Sequence, residues 1–302
     1  MKRPNFFIAG APKCGTTALS DYLRQHPRAF VTQPKEPHFF SRDFPYYYAP
    51  GQATLEHYLR LYDPAPDDAI ALGEASVWYL YSQEAVPGIR AFAPEARIIA
   101  MVRNPVELVP SLHSQMRYMQ DEDQEDPERA WDLQAERQHG KALPRTCRVP
   151  EFLLYGKAAA LGEQVKRLMD RVPREQVKII VFDDFRDDTQ SAYAEVLEFL
   201  GLPDDGRRDF PTVNPSKQHR AETLARFTQR PPRALVRVAK GVKKLTGIQR
   251  FGVLDRLRQS NRRTATRQEI SPAFEGRLKE YFREDVELLG SLIERDLSHW
   301  VA

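Results

Sequence analysis

Residues Phe6-Phe7-Ile8-Ala9-Gly10 are apolar without polar alternation and run into a Gly/Pro/Lys loop, the pattern of a strand buried on both faces of a parallel sheet. From Thr16 to Gln25 the period changes: Ala18, Leu19, Tyr22 and Leu23 fall on one face of a helix that Pro27 ends. Apolar segments of the first kind recur at 69–73, 97–102 and 177–182, separated by helical patterns over 106–118 and 152–171. A last helical pattern over 274–297 carries Leu278, Tyr281, Phe282, Leu289, Leu292 and Ile293 at a spacing that docks it on the core. Strands alternating with helices predict right-handed crossovers and helices on both faces, hence an α/β fold: a three-layer α/β/α sandwich around a central parallel sheet.

The 302 residues, 41% of them hydrophobic and 10% aromatic, fit one globular α/β domain over 1–302. No window reaches the ~18 apolar residues of a membrane-spanning helix. The apolar run near the N-terminus stops at Pro12 and Lys13, short of a signal-peptide core, so a cytoplasmic chain is expected. Cys14 and Cys147 are too few for a disulfide framework or a metal site and are expected to be free thiols.

A formal charge of +3 argues against a wholesale polyanion binder, but it averages two opposite fields. Residues 217–267 hold 15 Lys+Arg against Glu222 and Asp255, while the rest of the chain carries an excess of ten acids. This basic stretch, a lid or insertion in the domain, admits three readings: a solvated or nucleotide-attracting face, a contact with an anionic membrane through 231–258, or a polyanion partner. Residues 121–128, with six acids in eight positions, are expected to form an exposed loop.

Residues 10–17, G-A-P-K-C-G-T-T, lie between a predicted strand and a predicted helix. The N–H groups of such a loop and the positive end of the following helix make an anion cradle. The nucleotide-triphosphatase loop, G-x-x-x-x-G-K-[ST], puts its lysine where Thr16 stands and its Mg²⁺-holding hydroxyl next to it. Here the lysine is Lys13, inside the loop, where it can sit over a bond being broken, and two threonines serve a single phosphate without a metal.

The segment FFIAGAPKCGTTALSDYLRQHP resembles the 5′-phosphosulfate loop of sulfotransferases that use 3′-phosphoadenosine 5′-phosphosulfate (PAPS). KEPHFFS at 35–41 is similar to a segment of the heparan sulfate sulfotransferase branch, and RIIAMVRNPVELVPSLHSQMRY at 97–118 resembles the family's 3′-phosphate segment. The resemblance implies PAPS as co-substrate, held by Pro12, Lys13, Cys14, Gly15, Thr16 and Thr17 with Arg103 and Ser111. It also implies sulfuryl transfer to a hydroxyl or amine of a carbohydrate, glycolipid or small natural product. Arg103 at the end of a strand is well placed to grip a phosphate bidentately. NPSKQHR at 214–220 stands where relatives have a Ser-Lys-Gly-Arg run over the adenosine, which would add Lys217 and Arg220 as contacts, although Gln218-His219 replace the glycine.

The resembling segment places its glutamate at Glu36, which the resemblance implies as first choice of general base, with a carboxylate expected to be raised in pKa behind Phe39 and Phe40, and His38 is the second; the alternative for Glu36 is a surface salt bridge with Lys35. Two positions depart from the heparan branch: Ala75 stands where a glycan-contacting lysine is common, and Ser41 where an aspartate is. The cluster Phe44, Tyr46, Tyr47, Tyr48 and the pair Trp78-Tyr79 are either stacking surfaces for an acceptor or core anchors. Two other functions fit parts of the pattern. One is a P-loop kinase dependent on Mg²⁺-ATP; the other is a non-enzymatic membrane-surface or nucleic-acid binder built on 217–267 that would leave residues 10–17 without a role.

Overall fold

A computed structural model of the chain describes residues 1–44, 46, 54–211, 217–219, 262–264 and 269–302. Five strands make one all-parallel sheet: β1 (Phe6–Gly10), β2 (Ala29–Val31), β3 (Ala71–Glu74), β4 (Arg97–Val102) and β5 (Val177–Val181), in the order β2-β3-β1-β4-β5. β1 is central and fully buried, as its unalternating sequence requires. Its Phe6, Phe7 and Ile8 have no exposed surface, and each buried side chain of this size stabilises by about 2 kcal/mol. β2, three residues following the Pro27 break, is an edge strand too short to give a period of its own.

The chain leaves β1 through the Thr16–Gln25 helix towards β2 on one side, and leaves β3 and β4 towards the opposite side. Right-handed crossovers in opposite directions put helices on opposite faces, which gives the three expected layers. β1 and β4 are neighbours whose connections diverge, so the crevice at their carboxyl ends is the topological switch point where open α/β sheets bind ligands.

Two expectations are corrected away from that crevice. The pattern over 152–171 is not one helix: a 3₁₀ turn at Pro150–Leu153 and the helices Tyr155–Ala159 and Leu161–Met169 meet at Leu154 and Ala160, both in non-helical backbone. The C-terminal helix spans Pro272–Ile293, capped by Ser271, and packs on Leu161–Met169; its Tyr281 is 57% exposed rather than core, because its ring covers Gly156 and Trp131 from outside.

The acidic run is a loop over 121–126 with Asp123, Glu125 and Asp126 exposed, as expected, but its first two acids turn inward. Asp121 and Glu122 are buried, Asp121 taking bonds from the N–H and Nε of Arg148 at 3.1 and 2.9 Å, and Glu122 from both Nη atoms of Arg137 at 2.7 and 2.8 Å. Charge count alone cannot show partners 15 and 27 residues away. Trp78 stacks on Phe152 with ring centroids 3.7 Å apart, and Tyr79 and Phe44 are buried, so these aromatics belong to the core; Tyr46 is exposed and bonds Arg148, while Tyr47 and Tyr48 lie outside the described residues. Cys14 and Cys147 are free thiols. Of the basic stretch 217–267 the structure describes an antiparallel pair of three-residue strands, Lys217–His219 with Arg262–Thr264; the remainder, including 231–258, lies outside the described residues.

Candidate active site

Every piece of the site hangs from the carboxyl edge of the sheet. After β1 the chain turns through Gly10 and Gly15, both at positive φ. A Cβ on Gly10 would stand 2.5 Å from the carbonyl oxygen of Val77, and one on Gly15 would meet the Phe182 ring at 3.2 Å, so the loop can close this tightly only with glycine at both places. Lys13 between them is also left-handed at φ 65, an unfavourable backbone for a side-chain-bearing residue and of the kind held at ligand sites. Gly15 is the N-cap of the Thr16–Gln25 helix and offers no side-chain acceptor to the first-turn N–H groups, and the first turn has no acidic residue. A helix start of that kind presents donors and a positive dipole end to an anion.

The loop's side chains divide by direction. Pro12 and Cys14 are buried or nearly so, and the Cys14 thiol packs against the Pro12 carbonyl at 3.5 Å. Burial pushes this thiol up to about 12, outweighing the lowering by Arg103 and Lys13, so only main-chain groups of Cys14 can serve a ligand. Lys13 and Thr17 are half-buried, and Thr16 is buried with its hydroxyl 3.3 Å from Nζ of Lys35.

Across the switch point, Arg103 follows β4. Its Nη1 donates to the Lys13 carbonyl at 3.2 Å, its Nε and Nη2 bond Glu107 Oε2 at 3.3 and 2.7 Å, and its plane lies 4.7 Å over the Phe182 ring. Held on one edge by Glu107 and beneath by Phe182, the guanidinium is fixed beside the loop with N–H groups still to give. Asn104 caps the Pro105–Met119 helix by accepting from Val106 N at 2.9 Å, as the Asn-Pro pair predicts. Ser111 sits four residues beyond Glu107, half-buried on the same helical row, so the helix carries it along the side on which Arg103 is held. The strand Lys217–His219 lies against this helix, which brings Lys217 to the neighbourhood; Arg220 lies outside the described residues.

The candidate base comes from the segment after β2. Glu36 Oε1 is 3.1 Å from Lys35 Nζ and its Oε2 is 3.3 Å from His38 Nε2. Lys35 therefore touches both the first hydroxyl of the loop helix and the carboxylate, joining two motifs that are 19 residues apart in the chain. The expected raised pKa of Glu36 is reversed. Burial does push it up, but the His38 hydrogen bond and the Lys35 charge together bring it below the ordinary carboxylate value. Phe39 and Phe40 are turned away into the core, where Phe39 stacks on Tyr58 at 4.4 Å, and Glu36 keeps a side chain 38% exposed.

Sequence reasoning missed what holds this segment. Glu74, ending β3, has no exposed surface; Tyr58 and Tyr79 hydroxyls donate to its Oε1 at 2.8 and 2.9 Å, and the Ser76 hydroxyl donates to Oε2. Ser76 Oγ in turn accepts the His38 N–H at 2.9 Å and Tyr79 OH accepts the Phe40 N–H at 3.2 Å, while Ala75 N donates to the Lys35 carbonyl at 3.2 Å. One buried carboxylate thus fixes, through two hydroxyls, the backbone on either side of His38, itself at φ 52. The available signal was a carboxylate closing an apolar strand with Ser and Tyr two and five residues later.

A family model described as the sulfotransferase domain matches residues 3–212, which take in every element of this site from β1 to Phe182. The chain belongs to the sulfotransferase family. A solved sulfotransferase structure from Alicyclobacillus acidocaldarius matches with a TM-score of 0.71 at 28% identity, covering all of both chains. Carbohydrate sulfotransferase 15 of Mus musculus is 33% identical over an alignment covering 34% of this chain and 26% of its own length. Heparan sulfate glucosamine 3-O-sulfotransferase 6 of Homo sapiens is 36% identical over 34% of this chain and 28% of its own. This sulfotransferase chain therefore spans about a quarter of the length of the curated relatives it matches. Family membership decides against the kinase reading, in agreement with threonine at position 16 of the loop.

Proposed function

We propose that this sulfotransferase moves a sulfuryl group from PAPS to a hydroxyl or amine of a carbohydrate or other small acceptor by in-line displacement. The observation that carries the reading is the contact chain Thr16–Lys35–Glu36, which sets a carboxylate base beside an anion cradle at the sheet's switch point. The cradle fits a 5′-phosphate: the helix start has no side-chain cap, and its closing glycines leave no room for a Cβ. Arg103, Ser111 and Lys217 are the proposed partners of the 3′-phosphate. PAPS supplies the activated sulfuryl group when bound.

The remaining work is done by side chains of the chain. Lys13, inside the loop, neutralises charge on the bridging oxygen of the leaving phosphate. Glu36 accepts the proton of the acceptor, and because its pKa is held low it is ionised throughout the neutral range. His38 orients that carboxylate through its 3.3 Å contact. Displacement of this kind is loose and dissociative, so alignment and charge stabilisation account for most of the acceleration, and the sulfuryl group, less charged than a terminal phosphate, leaves less charge for a metal to neutralise. The relatives named for carbohydrate and heparan sulfate transfer favour a carbohydrate acceptor.

Calorimetric titration tests the donor. The expected result is binding of 3′-phosphoadenosine 5′-phosphate (PAP) that a chelator leaves unchanged and that Lys13→Ala and Arg103→Ala each weaken. Tight Mg²⁺-dependent ATP binding with no response to PAP would reject it.

A further inference from the structure

By sequence Lys35 is a surface partner of Glu36, but its position in the fold gives it more to do. Its ammonium is 3.3 Å from the Thr16 hydroxyl and 3.1 Å from Glu36 Oε1, and its side chain is only 17% exposed. Its backbone is pinned by Ala75 N at 3.2 Å. In an in-line transfer the migrating group passes from the phosphate cradle to the oxygen whose proton the base removes. A cation in contact with both ends of that path faces the group in between.

We infer that Lys35 is a second catalytic cation, which contacts the non-bridging oxygens of the sulfuryl group during transfer. The inference rests on the donor and base reading above. As the acceptor oxygen bonds to sulfur, the S–O bond to the phosphate breaks and its electron pair stays on the phosphate oxygen. The acceptor proton goes to Glu36, whose charge is thereby lost, and Lys35 remains protonated. Its ion-pair partner is neutralised as negative charge gathers on the leaving oxygen, which Lys13 faces, and this frees the Lys35 charge for the sulfuryl oxygens. The two lysines thus serve opposite ends of the displacement, Lys13 on the leaving side and Lys35 on the acceptor side.

PAPS and PAP differ by this sulfuryl group alone, so their affinities isolate the contact without any acceptor. Dissociation constants for both are measured by calorimetry with wild type, Lys35→Met and Lys35→Arg. Loss of one charge-assisted contact predicts that Lys35→Met weakens PAPS about tenfold and PAP less than about twofold, with Lys35→Arg keeping most of the preference. Retained PAP binding also reports that the variant is folded. Equal weakening of both nucleotides, or no weakening of PAPS, overturns the role of Lys35. Wild type that binds neither nucleotide overturns the donor reading itself, a separate outcome.

Discussion

Glu74, at the end of β3, and Glu36, in the segment after β2, lie close enough for their charges to interact, and their surroundings drive them in opposite directions. Burial pushes Glu74 up to about 7, against the lowering by its three hydroxyl donors, whereas His38 and Lys35 overcome burial at Glu36. A carboxyl whose folded-state pKa is raised contributes stability that is present below the unfolded value and lost as pH rises through the folded one. From the ordinary value of 4.5 to about 7, that loss amounts to about 3 kcal/mol. Glu74→Gln removes the titration, so the unfolding midpoint of wild type should fall relative to the variant between about pH 5 and pH 8; parallel profiles would count against a titrating Glu74. At this scale the sequence singles out Lys13, Glu36 and Arg103 as candidates by residue type and neighbourhood. The pKa of Glu36 is not legible in the same way, because adjacency to Phe39 and Phe40 in the chain says nothing of where those rings point, and they point into the core.

The strands and the helices that carry the proposed phosphate-binding groups follow from local pattern, since each is long or bounded by proline or glycine: β1, β4, and the helices after Gly15 and Asn104. The elements that escape local pattern are the ones fixed by distant partners. β2 is a three-residue edge strand, and the break at Leu154 and Ala160 has no Pro or Gly at either position. Asp121 and Glu122 are drawn inside by Arg148 and Arg137, and Tyr155 OH adds a 2.8 Å bond to Glu122. Both side chains of the Glu122–Arg137 pair are completely buried, and burial's upward push on Glu122 is overcome by Arg137. Removing one partner strands the other charge in the interior, so Arg137→Ala should cost about 3–5 kcal/mol in chemical unfolding. A loss below about 1 kcal/mol, the range of exposed pairs, would show that the pair is solvated.

For the whole molecule, the strand order brings the cradle, the base segment, the Glu74 network and Arg103 to one edge of one sheet, although they are spread from residue 10 to residue 103 of the chain. The net charge of +3 conceals that arrangement, since it sums an acidic remainder and the basic stretch 217–267. A ligand that binds only the assembled edge stabilises the entire fold, and at about 100 times its dissociation constant PAP should add about 2.7 kcal/mol. The rise in unfolding temperature should shrink in Lys13→Ala at the same nucleotide concentration, and a rise of equal size in that variant would place the nucleotide elsewhere. The central claim is transfer itself, tested most directly by following labelled sulfate from PAPS into a panel of heparan-type and simpler oligosaccharides with wild type, Lys13→Ala and Glu36→Gln. Loss of a general base predicts that Glu36→Gln falls about 10²–10⁴-fold in turnover with PAP affinity retained, and that Lys13→Ala also loses transfer. Near-normal sulfation by Glu36→Gln would contradict the account.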